Sequence, residues 1–156
     1  MPAQALLFFL LLIQSPGAQG PEHFFVGRTV STGTATILMN GSHAVRDHGR
    51  GRIERGNVLV LEQVVEEEGR PPRARTWRLL RRPDNRVTGT ITGVRGPVTG
   101  DVRGNVIHLS YQSSEGPAVE QWITVDPGRR TARNRMVYTR MGMPVATVDT
   151  VIRKVD

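Results

Sequence analysis

The chain has 156 residues, a length that suits one domain and leaves no comfortable room for two. Hydrophobic residues are 38% and aromatics 5%, so a core is built from Val, Ile, Leu and small side chains, and stacking platforms for nucleic acid are too few to expect. The formal net charge is +7, nearly all arginine because Lys154 is the only lysine, and the lack of cysteine excludes disulfides, thiolate metal sites, a cysteine nucleophile and a lipid-modified cysteine.

The first twenty residues read as a secretory signal peptide. Ala3–Ile13 is an apolar run broken only by Gln4, of h-region length and far short of the roughly 20 residues a membrane span requires. Ser15 to Gly20 then supplies a helix breaker and small residues suited to cleavage at Gly17, Ala18 or Gly20. Export to the periplasm or beyond, without a lipid anchor, is the expectation, and residues 21–156 form the single mature domain. Phe24 and Phe25, set before Gly27, predict a plug or a first strand entering the core.

Ten strand-like runs follow, at the spacing of a sandwich or barrel. They fall at Arg28–Met39, Ala44–Ile53, Val58–Glu66, Ala74–Arg81, Arg86–Ile91, Val98–Arg103, Val106–Gln112, Val119–Val125, Ala132–Thr139 and Val145–Arg153. The dividers are turn-formers such as Asn40-Gly41, Gly56-Asn57, Pro83-Asp84-Asn85, Gly104-Asn105 and Asp126-Pro127-Gly128, which favour antiparallel hairpins. No helical period intervenes to carry a parallel crossover. The last two runs are joined by Met141-Gly142-Met143-Pro144 and make the clearest hairpin, whose last strand is expected to pair with the first. The reading is an all-β antiparallel meander of about ten strands, closed or nearly closed into a barrel, because closure removes edges that so modest a core cannot otherwise protect.

Alternation along the strands is mixed. In Val58–Glu66, Val58, Val60, Glu62 and Val64 share one face while Leu59, Leu61, Gln63 and Val65 share the other, so both faces are mostly apolar. Val119, Ile123 and Val125 share a face that Trp122 does not. A barrel wall does this when its outside is locally covered. An outer-membrane barrel is disfavoured by too few aromatics for two girdles and by an end at Asp156.

Phe24-Phe25-x-Gly27-Arg28-Thr29, then Arg75-Thr76-Trp77, Gly100-x3-Gly104-Asn105, Tyr111, Trp122, Asn134-Arg135 and Gly142 together resemble a bacterial envelope family, domain of unknown function 3833. The resemblance spans Pro21 to Lys154. It implies an exported single domain with a calycin- or lipocalin-like barrel, no known activity and no catalytic residues to transfer. The chain departs from lipoprotein-like members in having no cysteine near the cleavage site. An acidic pair expected before the tryptophan is Glu120-Gln121 here.

The residues that could carry chemistry are few. The four histidines, His23, His43, His48 and His108, lack the two-residue spacing of a one-strand zinc site, and no metal or cofactor is expected. Ser110 or Ser113 with His108 and Asp101 could be drawn as a triad, but no nucleophile elbow accompanies them, and no catalytic residue is assigned. Glu66-Glu67-Glu68 reads as a solvated hairpin tip. The informative set is polar and aromatic residues within apolar strands: Glu62, Arg75, Trp77, Tyr111, Trp122, Asn134 and Arg135. They could be structural, with Arg75 or Arg135 paired to Glu62 or Glu120 inside the barrel and both tryptophans in the core. They could instead surround a pocket, the tryptophans against an apolar ligand and an arginine on its carboxylate or phosphate. The expected function is binding of a small amphipathic or lipid-like ligand. The alternatives are a scaffold whose basic surface, densest over Arg70–Arg82, touches anionic envelope components, and a small-barrel enzyme. The other arginines are scattered over nearly every strand and turn, as genomic composition alone would scatter them.

Overall fold

The computed structural model describes residues 19–156; the expected signal segment, apart from Gln19 and Gly20, lies outside the described residues. Ten antiparallel strands form the wall: β1 (Gly27–Ile37), β2 (Gly41–Glu54), β3 (Val58–Glu67), β4 (Arg73–Arg81), β5 (Arg86–Ile91), β6 (Arg95–Arg103), β7 (Val106–Gln112), β8 (Ala118–Val125), β9 (Thr131–Arg140) and β10 (Met143–Lys154). Each pairs with its sequence neighbour, and β10 returns to pair with β1 from Thr29↔Lys154 to Ile37↔Ala146. The barrel is closed, so every strand has two partners and no edge is left for solvent or aggregation. The expected strand runs hold to within a few residues, the largest shifts being earlier starts of β2 and β6. Pro144, which has no amide proton for the ladder, lies where the β9–β10 register shifts between Pro144 and Ala146.

One end of the barrel is plugged. Pro21–Phe25 forms a short 3-10 helix that buries Phe24 and Phe25, their rings meeting edge to face at 5.3 Å. Lys154 at the end of β10 donates its Nζ to the carbonyls of Phe24 and Val26, at 2.7 and 2.6 Å, and so ties the plug to the wall. Gly51 on β2 marks where the plug crosses: a Cβ there would stand 1.9 Å from the Phe25 carbonyl oxygen. Of the two roles expected for the phenylalanine pair, the plug is the one it takes.

The interior is built by strict alternation. Leu59 and Leu61 on β3, Trp77 on β4, Ile107 and Leu109 on β7, Ile123 and Val125 on β8 and Met136 on β9 all belong to one buried cluster. The outer wall is charged and ion-paired: Arg52 and Arg78 both hold Glu54, at 3.0 and 2.8 Å, and Arg135 holds Asp149 at 2.9 Å. Val60 faces outward between its cross-strand partners Arg52 and Arg78, yet is only 1% exposed. The aliphatic stems of those arginines cover it, which explains why β3 is apolar on both faces.

Candidate functional site

Among the described residues two spaces stand one above the other inside the barrel. Next to the plug is a small chamber of about 60 Å³, walled by Phe25, Leu59, Leu61, Leu79, Val102, Ile107, Leu109 and Ile152. It has room for a few water molecules and no more. Above it a cavity of about 820 Å³ opens at the unplugged end, walled by Ala35, Ile37, Val65, Ile91, Val94, Tyr138 and Val148, with Glu67, Arg70, Arg73, Glu115 and Arg140 toward the rim. That volume falls within the range of small-molecule pockets. Arg75 lines both spaces.

A belt of polar side chains crosses the interior. On one side Gln63 Oε1 accepts two hydrogen bonds, from Arg75 Nε at 2.9 Å and from Trp77 Nε1 at 2.6 Å, while its Nε2 donates to Asp47 at 3.3 Å. On the other side Tyr111 donates to Gln121 at 3.1 Å, Gln121 to Asn134 at 2.7 Å, and Asn134 to Thr150 at 3.1 Å. Trp77 and Tyr111 close the gap edge to face, with ring centroids 5.7 Å apart. Each buried amide is thereby given a partner, without which its burial would be costly.

Arg75 stands out within the belt. Its guanidinium lies 5.1 Å from the Trp77 ring centroid, and among the described residues no carboxylate comes within ion-pair distance and neither Nη group has a hydrogen-bond partner. Asp47 is reached through Gln63, which bonds to both. Burial pushes the Asp47 carboxyl above its ordinary value, with the Arg75 charge pulling the other way. Burial likewise pushes Tyr111 and Tyr138 upward, so both remain neutral phenols. The belt thus presents one cation, an acid whose pKa is raised by burial, and neutral donors.

The seven residues singled out from sequence divide by strand parity. Arg75, Trp77, Tyr111 and Asn134 face inward and meet in the belt. Glu62, Trp122 and Arg135 do not reach the interior. Glu62 is outside, 3.3 Å from Arg52. Trp122 is 38% exposed and stacks on His108 at 5.2 Å, and Arg135 lies opposite it in register, paired to Asp149. Neighbours on a strand point to opposite sides, so Asn134 and Arg135 could never both line one pocket. The structural pairing of Arg75 or Arg135 with Glu62 or Glu120 inside the barrel is also corrected: both acids stand outside, with Glu120 hydrogen-bonded to His108 and Ser110. Asp47, Gln63, Gln121 and Thr150 were missed. Gln63 shares the face of Leu59 and Leu61, and Gln121 that of Val119, Ile123 and Val125, so parity carried the signal.

Ser110, His108 and Asp101 do meet on the outer wall, but not as a triad. His108 Nδ1 faces Asp101 at 3.3 Å while its Nε2 is taken by Glu120, and Ser110 donates to Glu120 at 2.7 Å. Glu120 therefore separates the serine from the base, and the cluster sits outside both cavities. The other histidines are dispersed: His23 is on the plug, His43 is bonded to Glu67 at 2.8 Å, and His48 lies 4.0 Å from Glu66. Glu67 also holds Arg73 at 3.1 Å, so it is a structural node rather than a free acid at a hairpin tip.

The sequence matches the family described as Protein of unknown function (DUF3833) over residues 16–154. The chain belongs to that family. No curated protein matches it. Among solved structures, the S-type phycobiliprotein lyase CPES from Guillardia theta is similar, with a TM-score of 0.68 at 11% identity, covering 90% of this chain and 94% of the lyase. That likeness is one of fold, and the family member described here shares the ten-stranded calycin-like barrel. A putative AttH from Nitrosomonas europaea aligns over 97% of this chain and 55% of its own, also at 11% identity, but its TM-score of 0.31 carries no structural argument.

Proposed function

We propose that this DUF3833 protein is an exported barrel that binds a small amphipathic acid of lipid-like character, acid group inward. The observation that carries the reading is Arg75: an arginine on the interior wall, with no carboxylate partner among the described residues, at the base of a cavity of about 820 Å³. Arg75 is half-buried and lines the open cavity, so the hydrogen-bonding capacity its guanidinium does not spend on the wall is available to an anionic group entering there. The chamber below Arg75, about 60 Å³, is too small for an alkyl chain, so the acid group stops at Arg75 and the chain extends toward the mouth. There Val65, Ile91, Val94 and Val148 offer it an apolar wall. Trp77 holds the guanidinium from beneath, and Gln63 fixes its orientation. Export is supported by the Ala3–Ile13 run.

The test is displacement of a fluorescent long-chain fatty acid, with Arg75→Met and Arg75→Lys beside the native chain. Arg75→Met is expected to weaken binding about tenfold or more, the scale of a charge-assisted hydrogen bond, and Arg75→Lys less. Trp122→Phe and Arg135→Gln, on the outer wall, leave it unchanged. Equal retention by a folded Arg75→Met protein would remove the assignment.

A further inference from the structure

Four of the large exposed apolar side chains, Leu38, Met39, Met141 and Met143, occupy two neighbouring turns at the open end. These turns, β1–β2 and β9–β10, are adjacent because β1 pairs with β10 and the Leu38 amide bonds to the Val145 carbonyl. Met39 and Met141 are each 97% exposed. Both also have positive φ, 63° and 53°, a backbone state that suits Asn or Gly and strains a long apolar side chain. Met141 with Gly142 makes a turn with φ positive at both central residues, where the first position ordinarily takes Asn or Asp. A side chain that is strained and wholly solvated contributes nothing to the barrel, so its chemistry answers to something outside it.

We propose that these two tips dock the barrel, mouth down, on an anionic phospholipid bilayer. Narrow hairpin tips are convex and separate, a shape that enters an interfacial lipid layer and fits a flat protein partner poorly. Within the two tips, Ile37–Ser42 and Thr139–Val145, the only charged residue is Arg140, and the rim carboxylates Glu67 and Glu115 are each paired to an arginine, at 3.1 and 3.2 Å. Arg140 donates to the Glu115 carbonyl at 3.3 Å, and the Glu115 carboxylate is held by Arg70 at 3.2 Å, which leaves the Arg140 charge for a lipid phosphate. The cavity opens between the same strands, so a ligand could pass from bilayer to barrel without crossing water. The docking itself stands on the tips and does not require the ligand reading.

The full chain contains no cysteine, which permits single labels. Met39→Cys, Met141→Cys and, at the plugged end, Asn57→Cys are each coupled to an environment-sensitive fluorophore and titrated with vesicles of phosphatidylcholine containing phosphatidylglycerol. Emission from the two tip labels is expected to shift to the blue, with that from position 57 unchanged. The Met141→Cys label on a Met39→Asn background should need about tenfold more lipid for half the shift. Arg75→Met should leave all three responses unaltered, separating docking from ligand binding. No shift at the tips, or a shift at position 57 alone through the N-terminal apolar run, overturns the proposal. A tip shift that appears without vesicles as the protein is concentrated, with a dimer by size exclusion, assigns the tips to a second copy and overturns it as well.

Discussion

The two ends of the barrel are built from the same hairpins yet treat their turns in opposite ways. At the plugged end two left-handed turn positions are Asn57 and Asn85, residues suited to that backbone, a third is Arg129 at φ 55°, whose side chain bonds the plug, and Asn105 caps the Val125 carbonyl at 2.8 Å. The plug, Lys154 and Arg129 then hydrogen-bond across the floor, Arg129 reaching the carbonyls of Gln19 and Gly20 at 2.8 and 2.7 Å. At the open end the corresponding positions on the β1/β10 side carry Met39 and Met141, and the interior behind them is a cavity rather than packed side chains. One end is arranged for stability; the other spends some of it. The polar belt at Arg75 is the boundary.

The largest effect should come from the floor. Phe24 is 2% exposed and sits beneath Lys154, so Phe24→Ala removes a buried aromatic where the chain has few means to collapse. A loss of about 3–5 kcal/mol in denaturant unfolding is expected. If the loss were under about 1 kcal/mol, the plug would be an ornament on a barrel that stands without it.

A smaller effect, with a definite pH signature, is expected at the boundary. Burial raises the Asp47 carboxyl pKa in the folded state above its ordinary 3.8, against the opposing pull of Arg75. The folded protein therefore holds that proton to higher pH than the unfolded chain does. Stability from this group is full below the ordinary value and is lost as pH rises through the folded one. Asp47→Asn mimics the protonated form, so it should raise the melting temperature at neutral pH, and the gain should vanish below pH 3.8. The same variant leaves Arg75 as the only charge of the belt and should tighten binding of an acidic ligand. A gain that persisted unchanged into acid would mean that Asp47 ionisation is not its source.

These effects bear on what could be read from residues alone. Strand positions were legible because the turn residues are local: Asn57, Asn85 and Gly142 announce their turns whatever the barrel does around them. Closure was legible in outline, through the Thr131–Lys154 hairpin. Which face pointed inward was not legible on β3, where Val60 is buried on the outside by arginine stems from β2 and β4, neighbours that no single-strand pattern contains. Trp122 misled because its size suggests a core, whereas its parity with Ile123 and Val125 already set it on the other side. Gln63 and Gln121 were passed over because glutamine is mostly exposed, and only the assembled belt gives each amide its partners.

The smallest effect is also the one that most directly exchanges the two ends. Met141 at φ 53° and Asn57 at φ 61° share a backbone state but not a suitable side chain. Met141→Asn should stabilise the barrel by roughly 1 kcal/mol, and Asn57→Met should destabilise it by a similar amount, since the open space around either turn leaves backbone strain as the main term. Both are read by urea titration of the same chain. Opposite signs would establish that the open end keeps its methionines at a cost to folding, so that they are held for contact with something beyond the barrel. Matching signs, or no change at position 141, would mean the turn tolerates methionine freely. The contrast between the two ends would then reduce to the plug and the cavity.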